Sequence, residues 1–399
     1  GNLSNNTNGG WDNPGNTTFG GNEEIHHYKI QAVVDANGEV KLGFGSTLHQ
    51  DISDESFGID NITIHADMGR ASDDDVISGI IGNDNGDGTY ASGETIVTDQ
   101  AGSQYFVEMT TLQDGGYISV WQSGGDIYAS RFDAEHKLVT NFQVDAGVAG
   151  SQSWPQVTTL SNGNYLIQWN ESNSGTYATK AYIIDESTNE PTTDTPITID
   201  TNTTGGYWDP IAPMGDGGFI ATWSHQGQDS NGTGVGYRIF DANGNALIDQ
   251  RVANTYETNH QAHAEITALD NGNAVIVWKS AGQDGSGYGI YSQIVDTSGN
   301  KIGEETRVNV NTAGNQQWPN VTTLSDGDYV VTWTDTSDDS VRARRFHEDG
   351  TPASDEIIVN TTGNDGHDHH YIPEVSELVN GGFVIAYQGT GGIYAQMFN

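Results

Sequence analysis

The sequence has no cysteine, so disulfides, thiolate nucleophiles and cysteine-ligated metals are excluded. Basic residues are almost as scarce: 14 Lys and Arg stand against 54 Asp and Glu, for a formal net charge of −40. A surface of that sign repels phosphate backbones and anionic lipid, which excludes nucleic acid as a partner. No apolar run approaches membrane-spanning length, so no insertion into a membrane is expected. No secretory signal opens the chain, and we expect a monomeric module of a longer protein.

What the sequence does have is 52 glycines, 17 Tyr, 11 Phe and 9 Trp, with turn residues along its whole length. That mixture favours short strands over helices. The carboxylate excess needs screening, either by a saline medium or by a hard cation that Asp, Asn and carbonyl oxygens serve well, and Ca²⁺ is the expected cofactor.

One phrase recurs six times: DGGYISVW from Asp114, NGNYLIQW from Asn162, DGGFIATW from Asp216, NGNAVIVW from Asn271, DGDYVVTW from Asp326 and NGGFVIAY from Asn380. The strand-ending aromatics are Trp121, Trp169, Trp223, Trp278, Trp333 and Tyr387, about 48 to 55 residues apart. Around each phrase lie three further short strands, of the kinds VTTL (Val157), IYSQIVD (Ile290) and EETRVN (Glu304). Asn-Gly and Ser-Gly turns such as DANGN (Asp241) and DTSGN (Asp296) join the later ones. Four antiparallel strands repeated at this period describe either the blades of a β-propeller or an open array of β-sandwiches. The propeller is the expected fold: all-β, six-bladed, residues 93–399. Its last copy stops after a third strand, while GETIVTD (Gly93) precedes the first copy, so residues 94–98 are expected to supply the outer strand that closes the ring and removes its open edge.

Residues 1–70 do not follow the repeat and read as a small β-module of three strands, IHHYKIQAVVD, EVKLGFGSTL and SFGIDNITIHAD. DESFGIDNITI resembles the closing strand of bacterial jelly-roll carbohydrate-binding modules. Residues 71–92 form an acidic, Gly-rich linker in which GIIGND (Gly79) is similar to one unit of an RTX calcium repeat. The repeat as a whole resembles the DGG-Y-VVTW and GIYAQ repeats of large secreted bacterial proteins, including RTX-type adhesins. That resemblance implies an extracellular or cell-surface, calcium-rich setting and a role in adhesion, and it brings no catalytic residues with it.

Six residues before the Leu or Met that ends each innermost strand stand Phe106, Trp154, Trp208, His263, Trp318 and Ile372, with Tyr105, Tyr207 and Tyr371 one residue earlier in their copies. The connector into the innermost strand and the loop after the second strand leave a blade at the same end, so these residues should ring one mouth of the channel. Large side chains at one structural level serve packing between blades or ligand binding equally well. Departures from the repeat favour binding: YWDP puts Asp209 beside two aromatics, NHQAH carries His260 and His263, and HDHH carries His367, His369 and His370. Aromatic faces stack on the C–H surfaces of sugars while Asp and His bond the hydroxyls, so the expected partner is a glycan or polysaccharide held by Tyr105, Trp154, Tyr207, Trp208, Asp209, His263, Trp318, His369, His370 and Tyr371. In the loops SHQGQDSNGTG and KSAGQDGSGYG, Asp229, Asn231, Asp284 and Ser286 have the oxygen-rich character of calcium ligands, and hydrated turns of no further role fit them too.

These observations support a calcium-assisted, lectin-like adhesin module. They also admit a polysaccharide lyase using His263, His370 or Tyr371 as the base on a uronate. Hydrolysis by paired carboxylates is open through Asp209, Asp365 and Asp368, as are a transition-metal site on His367, His369 and His370 and a purely structural spacer.

Overall fold

Each repeat folds into its own antiparallel sheet, and the turns that join the strands are set by local chemistry. In the first, Asp114 Oδ1 accepts the Gly116 N–H at 2.9 Å while Gly115 takes φ of 85°, a left-handed conformation open to glycine at no steric cost. The same Asx turn precedes the aromatic strand of the later repeats, with Asn162, Asp216, Asn271 and Asp326 as acceptors.

The computed structural model describes residues 97, 103–202, 209–360, 372–379, 381–389 and 392–399, with backbone alone at 201 and 202, all within one compact unit of residues 45–399. Blade one comprises Gln104–Thr111, Tyr117–Ser123, Asp126–Phe132 and Leu138–Gln143, in that order from inside outwards. Blade two follows as Ser151–Thr159, Tyr165–Asn173, Thr176–Asp185 and Ile197–Asn202, with Glu190–Pro191 pairing the far end of the long third strand. Blade three is Ile211–Pro213, Phe219–Gln226, Thr233–Phe240 and Arg251–Val252, and blade four is Gln261–Ala268, Ala274–Ala281, Tyr288–Val295 and Lys301–Arg307. Blade five is Gln316–Thr323, Tyr329–Asp335, Ser340–Phe346 and Ile357–Ile358, and the described part of blade six is Glu374–Glu377, Phe383–Gly389 and Gly392–Phe398.

The core lies between blades. Ile118 and Val120 of blade one pack on Tyr165, Ile167 and Trp169 of blade two, and the pattern repeats round to blade six, where Val375, Ile385 and Tyr387 meet Val330 and Val341. Trp169, Trp223, Trp278 and Trp333 are fully buried, each contributing roughly 2–3 kcal/mol of transfer free energy. The strand-ending aromatics of the repeat are therefore core, and the sheets stack face to face around an axis as propeller blades do.

Two contacts bear on closure. Glu374 of blade six feels the charge of Glu108 on the inner strand of blade one, so those two inner strands come within electrostatic reach of one another. Ser130, fully buried on the face of blade one that points away from blade two, donates to the Val97 carbonyl at 2.7 Å. The rest of the expected closing strand, the β-module of residues 1–70 and the linker of 71–92 lie outside the described residues.

Candidate functional site

The register of pairing builds the mouth. Gln104 lies opposite Ser123 and Gln261 opposite Ser280, so the entry to each inner strand and the end of each second strand share one end of the ring. Just inside that entry the inner strands of blades one, two, four and five carry a bulge, between Tyr105 and Glu108, Ser153 and Gln156, Ala262 and Glu265, and Gln317 and Asn320. The recurrent mouth residue occupies it: Phe106, Trp154, His263 and Trp318 have φ of 55°, 54°, 53° and 54°. A side chain in that left-handed region costs about 1–2 kcal/mol. A bulge re-aims the residue it holds, here out of the ladder and across to the next blade.

The mouth residues accordingly meet in neighbouring pairs. Phe106 and Trp154 have ring centroids 3.8 Å apart across blades one and two, and Tyr105, exposed, lies 6.3 Å from Phe106. Across blades four and five, the His263 ring meets Trp318 edge-on at 4.2 Å, and Lys279 Nζ sits 5.2 Å from the Trp318 ring and 4.7 Å from that of Tyr288. His263 is open to solvent on one side, yet crowding by its surroundings and then the Lys279 charge push its imidazole down to about 4, so it is neutral at pH 7. Ile372 of blade six is exposed.

A pocket of about 140 Å³ opens between blades one and two. Phe106, Trp154 and Pro155 form its apolar wall; Glu108, Gln156, Gln168, Asn170 and Thr179 supply carboxylate, amide and hydroxyl groups. The volume suits one ring-sized group. A wider depression of about 410 Å³ lies at the other end of the same inner strands, lined by Thr110, Thr111, Thr158 and Thr159 among others, and has neither an aromatic nor a charged group in its wall.

Beneath the smaller pocket lies a polar cluster. Thr179 Oγ1 bonds the Asp209 carboxylate and stands 3.2 Å from Asn170 Oδ1, while Gln168 donates to the Asp209 carbonyl at 2.7 Å. Asp209, expected at the mouth, is only 3% exposed and supports the pocket from behind. His225 Nδ1 stands 2.8 Å from Asp200 Oδ2 and its Nε2 3.7 Å from Asp209 Oδ1. Burial alone would push the imidazole down, but the two carboxylates outweigh it and hold it at about 9.

The expected calcium ligands lie on two neighbouring blades. Asp229 Oδ1 caps its own turn through the Asn231 N–H at 3.1 Å and its Oδ2 accepts from Asn254 Nδ2 at 2.9 Å. Asp284 does the same with the Ser286 N–H at 3.1 Å and with Asn309 Nδ2 at 3.5 Å. Both loops are thus latched to the connector that follows the outer strand of their own blade. Tyr207, Trp208, His369, His370 and Tyr371 lie outside the described residues, as do His367, Asp365 and Asp368.

Sequence reasoning missed Glu108, Gln168, Thr179, Asp200 and His225. Two of these leave a signal: Thr179 stands where the other five blades have Ile or Val, and His225 falls inside the quoted loop SHQGQ.

The fold and this mouth define a six-bladed β-propeller. Solved structures agree: an α-L-arabinofuranosidase of Fusarium graminearum in complex with an iminosugar inhibitor is similar over 74% of this chain and 93% of its own, at 11% identity and a TM-score of 0.50. A PL25 ulvan lyase bound to a disaccharide repeat of glucuronate and sulfated rhamnose matches over 73% of this chain and 78% of its own, at 9% identity and a TM-score of 0.49. The likeness to the arabinofuranosidase speaks for the fold alone. No protein-family model and no curated protein matches the sequence.

Proposed function

We propose that the propeller is a carbohydrate-binding module of a secreted or cell-surface protein, and that the pocket between blades one and two holds one sugar ring of a glycan. The observation that carries this is the pocket's composition: two touching aromatic rings, Phe106 and Trp154, beside Glu108, Gln156, Gln168, Asn170 and Thr179. An aromatic face covers the apolar side of a sugar, and the amides and carboxylate bond its hydroxyls. The similar structures are of carbohydrate-acting proteins, which agrees with the reading. Adhesion to a surface glycan, as in the RTX-type proteins whose repeats these resemble, follows as the biological role. Ca²⁺ at the Asp229–Asn231 and Asp284–Ser286 loops would stiffen the mouth and offset part of the −40 charge.

The test is a glycan array with the whole chain, with and without Ca²⁺, repeated with Trp154→Ala. Saturable binding that this substitution abolishes supports the reading; binding to no glycan, or binding indifferent to Trp154, overturns it.

One observation favours a second reading, that of a lyase acting on a uronate. At the mouth of blades four and five the neutral His263 lies beside Trp318, whose ring also faces the Lys279 ammonium. A base and a cation that neutralises the substrate carboxylate are what proton abstraction next to that carboxylate requires. Incubation with uronate polysaccharides, following the absorbance of the unsaturated product, decides it: a signal lost in His263→Ala establishes the enzyme, and no signal leaves the binding module.

A further inference from the structure

Four positions of the repeat converge behind the pocket, and at three of them one blade departs from the others. Asp209 stands where the other blades have Val, Ala or Pro; His225 where they have Ser, Glu, Asp or Gly; Thr179 where they have Ile or Val. The fourth is Asp200, in the outer strand of blade two. Its counterparts Asp145, Asn254, Asn309 and Asn360 each cap the first residues of their own third strand, as in the bond from the Val235 N–H to Asn254 Oδ1 at 2.8 Å. Packing between blades two and three does not need a carboxylate, an imidazole and a hydroxyl at three departing positions that meet at a single point.

Asp200, Asp209 and His225 are each 3% exposed, and they come from three separate strands or connectors. Asp200 Oδ2, Asp209 Oδ1 and both ring nitrogens of His225 make no directed hydrogen bond, although the Nδ1 to Oδ2 distance is 2.8 Å. They are held by the ion pair between His225 and the two carboxylates without an aligned hydrogen bond, which is rare for buried polar groups, and a dication binding here would displace the imidazole proton. One ligand atom from each residue lies within 4.8 Å of the other two, and they are the one such group of His, Cys, Asp or Glu among the described residues. Donors bound about 2.0–2.2 Å from one small ion stand roughly 3–4 Å from one another, so the arrangement needs little movement to close on a metal.

We propose that Asp200, Asp209 and His225 bind one transition-metal dication of the Zn²⁺ class between blades two and three. An imidazole among two carboxylates selects a borderline ion over Ca²⁺, which prefers oxygen alone. Thr179 orients Asp209 from outside, as second partners of metal ligands commonly do. Enclosure on all sides makes the site structural: it staples the outer strand of blade two to the second strand and inner connector of blade three, and through Thr179 it fixes the floor of the pocket. The proposal stands apart from the glycan reading, since it is read without any sugar.

The experiment uses the full chain, stripped with a chelator and titrated calorimetrically with Zn²⁺. We expect one saturable equivalent that excess Ca²⁺ does not displace, affinity at least tenfold weaker in Asp209→Asn and His225→Gln, and no change when His367, His369 and His370 are all replaced by Ala. Absence of a saturable site, displacement by Ca²⁺, loss of binding in the triple variant or unchanged affinity in the single variants would each overturn the proposal. Should the single variants fail to fold, the wild-type chain loaded with Co²⁺ decides: a visible d–d band of a low-symmetry nitrogen and oxygen site supports it, and the spectrum of hexaaquo Co²⁺ overturns it.

Discussion

Trp154 separates packing from binding, because the structure assigns it a backbone strain that only one replacement relieves. The side chain is 37% exposed, contacts Phe106 across the blade boundary and sits at φ of 54°. Trp154→Ala loses an aromatic pair and part of the apolar contact, about 1–2 kcal/mol together, and keeps the left-handed strain because alanine still carries a Cβ. Trp154→Gly loses the same contacts but recovers about 1–2 kcal/mol of that strain. By urea unfolding the glycine variant should therefore match the wild type within about 1 kcal/mol and exceed the alanine variant by about 1–2 kcal/mol. Both should lose glycan affinity by about 1–3 kcal/mol, roughly 5- to 150-fold, since the stacking face is gone in each. Isothermal titration with a glycan identified on the array measures that loss. A glycine variant less stable than the alanine variant would refute the strain argument and make Trp154 a wedge. Stability as described with undiminished affinity would place the binding site elsewhere.

Arg342 ties together Asp335, Asp338 and Glu356, and Asp335 is fully buried; Arg342→Ala should cost about 3–5 kcal/mol in urea unfolding, with Asp335→Asn in the same chain restoring part of it. Glu374, on the inner strand of blade six, keeps solvent access although protein atoms crowd it, and that crowding together with the Glu108 charge raises its carboxyl from 4.5 to about 7 against the Asn320 amide that donates to it at 2.7 Å. The folded chain then binds the proton more tightly than the unfolded one, so this group's contribution is intact below about 4.5 and is lost as pH rises to about 7. Glu374→Gln should flatten that part of the melting-temperature profile and be the more stable form at pH 8; an unchanged profile would refute the coupling. Chelation should lower the melting temperature and Ca²⁺ should restore it beyond what NaCl of equal ionic strength achieves, whereas equal effects would reduce the carboxylates to screened surface charge.

Those parts of the fold that rest on local signals were readable from the sequence. Asx turns at Asp114, Asn162 and Asp216 mark where each aromatic strand begins, the period of Trp121 to Tyr387 counts the blades, and alternation along DGGFIATW places Phe219, Ala221 and Trp223 together in one interblade cluster. The shared placement of Phe106, Trp154, His263 and Trp318 followed too, because it needs only the direction of each strand. The bulge did not. Nothing in SWPQ or QWPN announces a tryptophan at positive φ, a conformation for which that residue has no intrinsic preference, and only the pairing with the second strand imposes it.

Asp209 illustrates the remaining limit. In the sequence it stands next to Trp208 and reads as part of an exposed aromatic phrase, yet one step along a strand turns a side chain to the other face. Its carboxylate points away from the mouth, to Thr179, and lies near His225, residues 30 and 16 positions away along the chain. Such a meeting depends on the stacking of blade two on blade three, which no window of sequence contains. It was nonetheless foreshadowed, since all three residues break the repeat, and in a ring of near-identical units a set of departures that share one interblade boundary marks a local task there. The same reasoning separates the two candidate regions of the mouth: Glu108, Gln156 and Thr179 gather polar groups around one aromatic pair, while His263 and Lys279 gather basic ones around the other. A ring built from one repeat has thereby acquired two chemically different sectors, and variants confined to one sector should leave the chemistry of the other untouched.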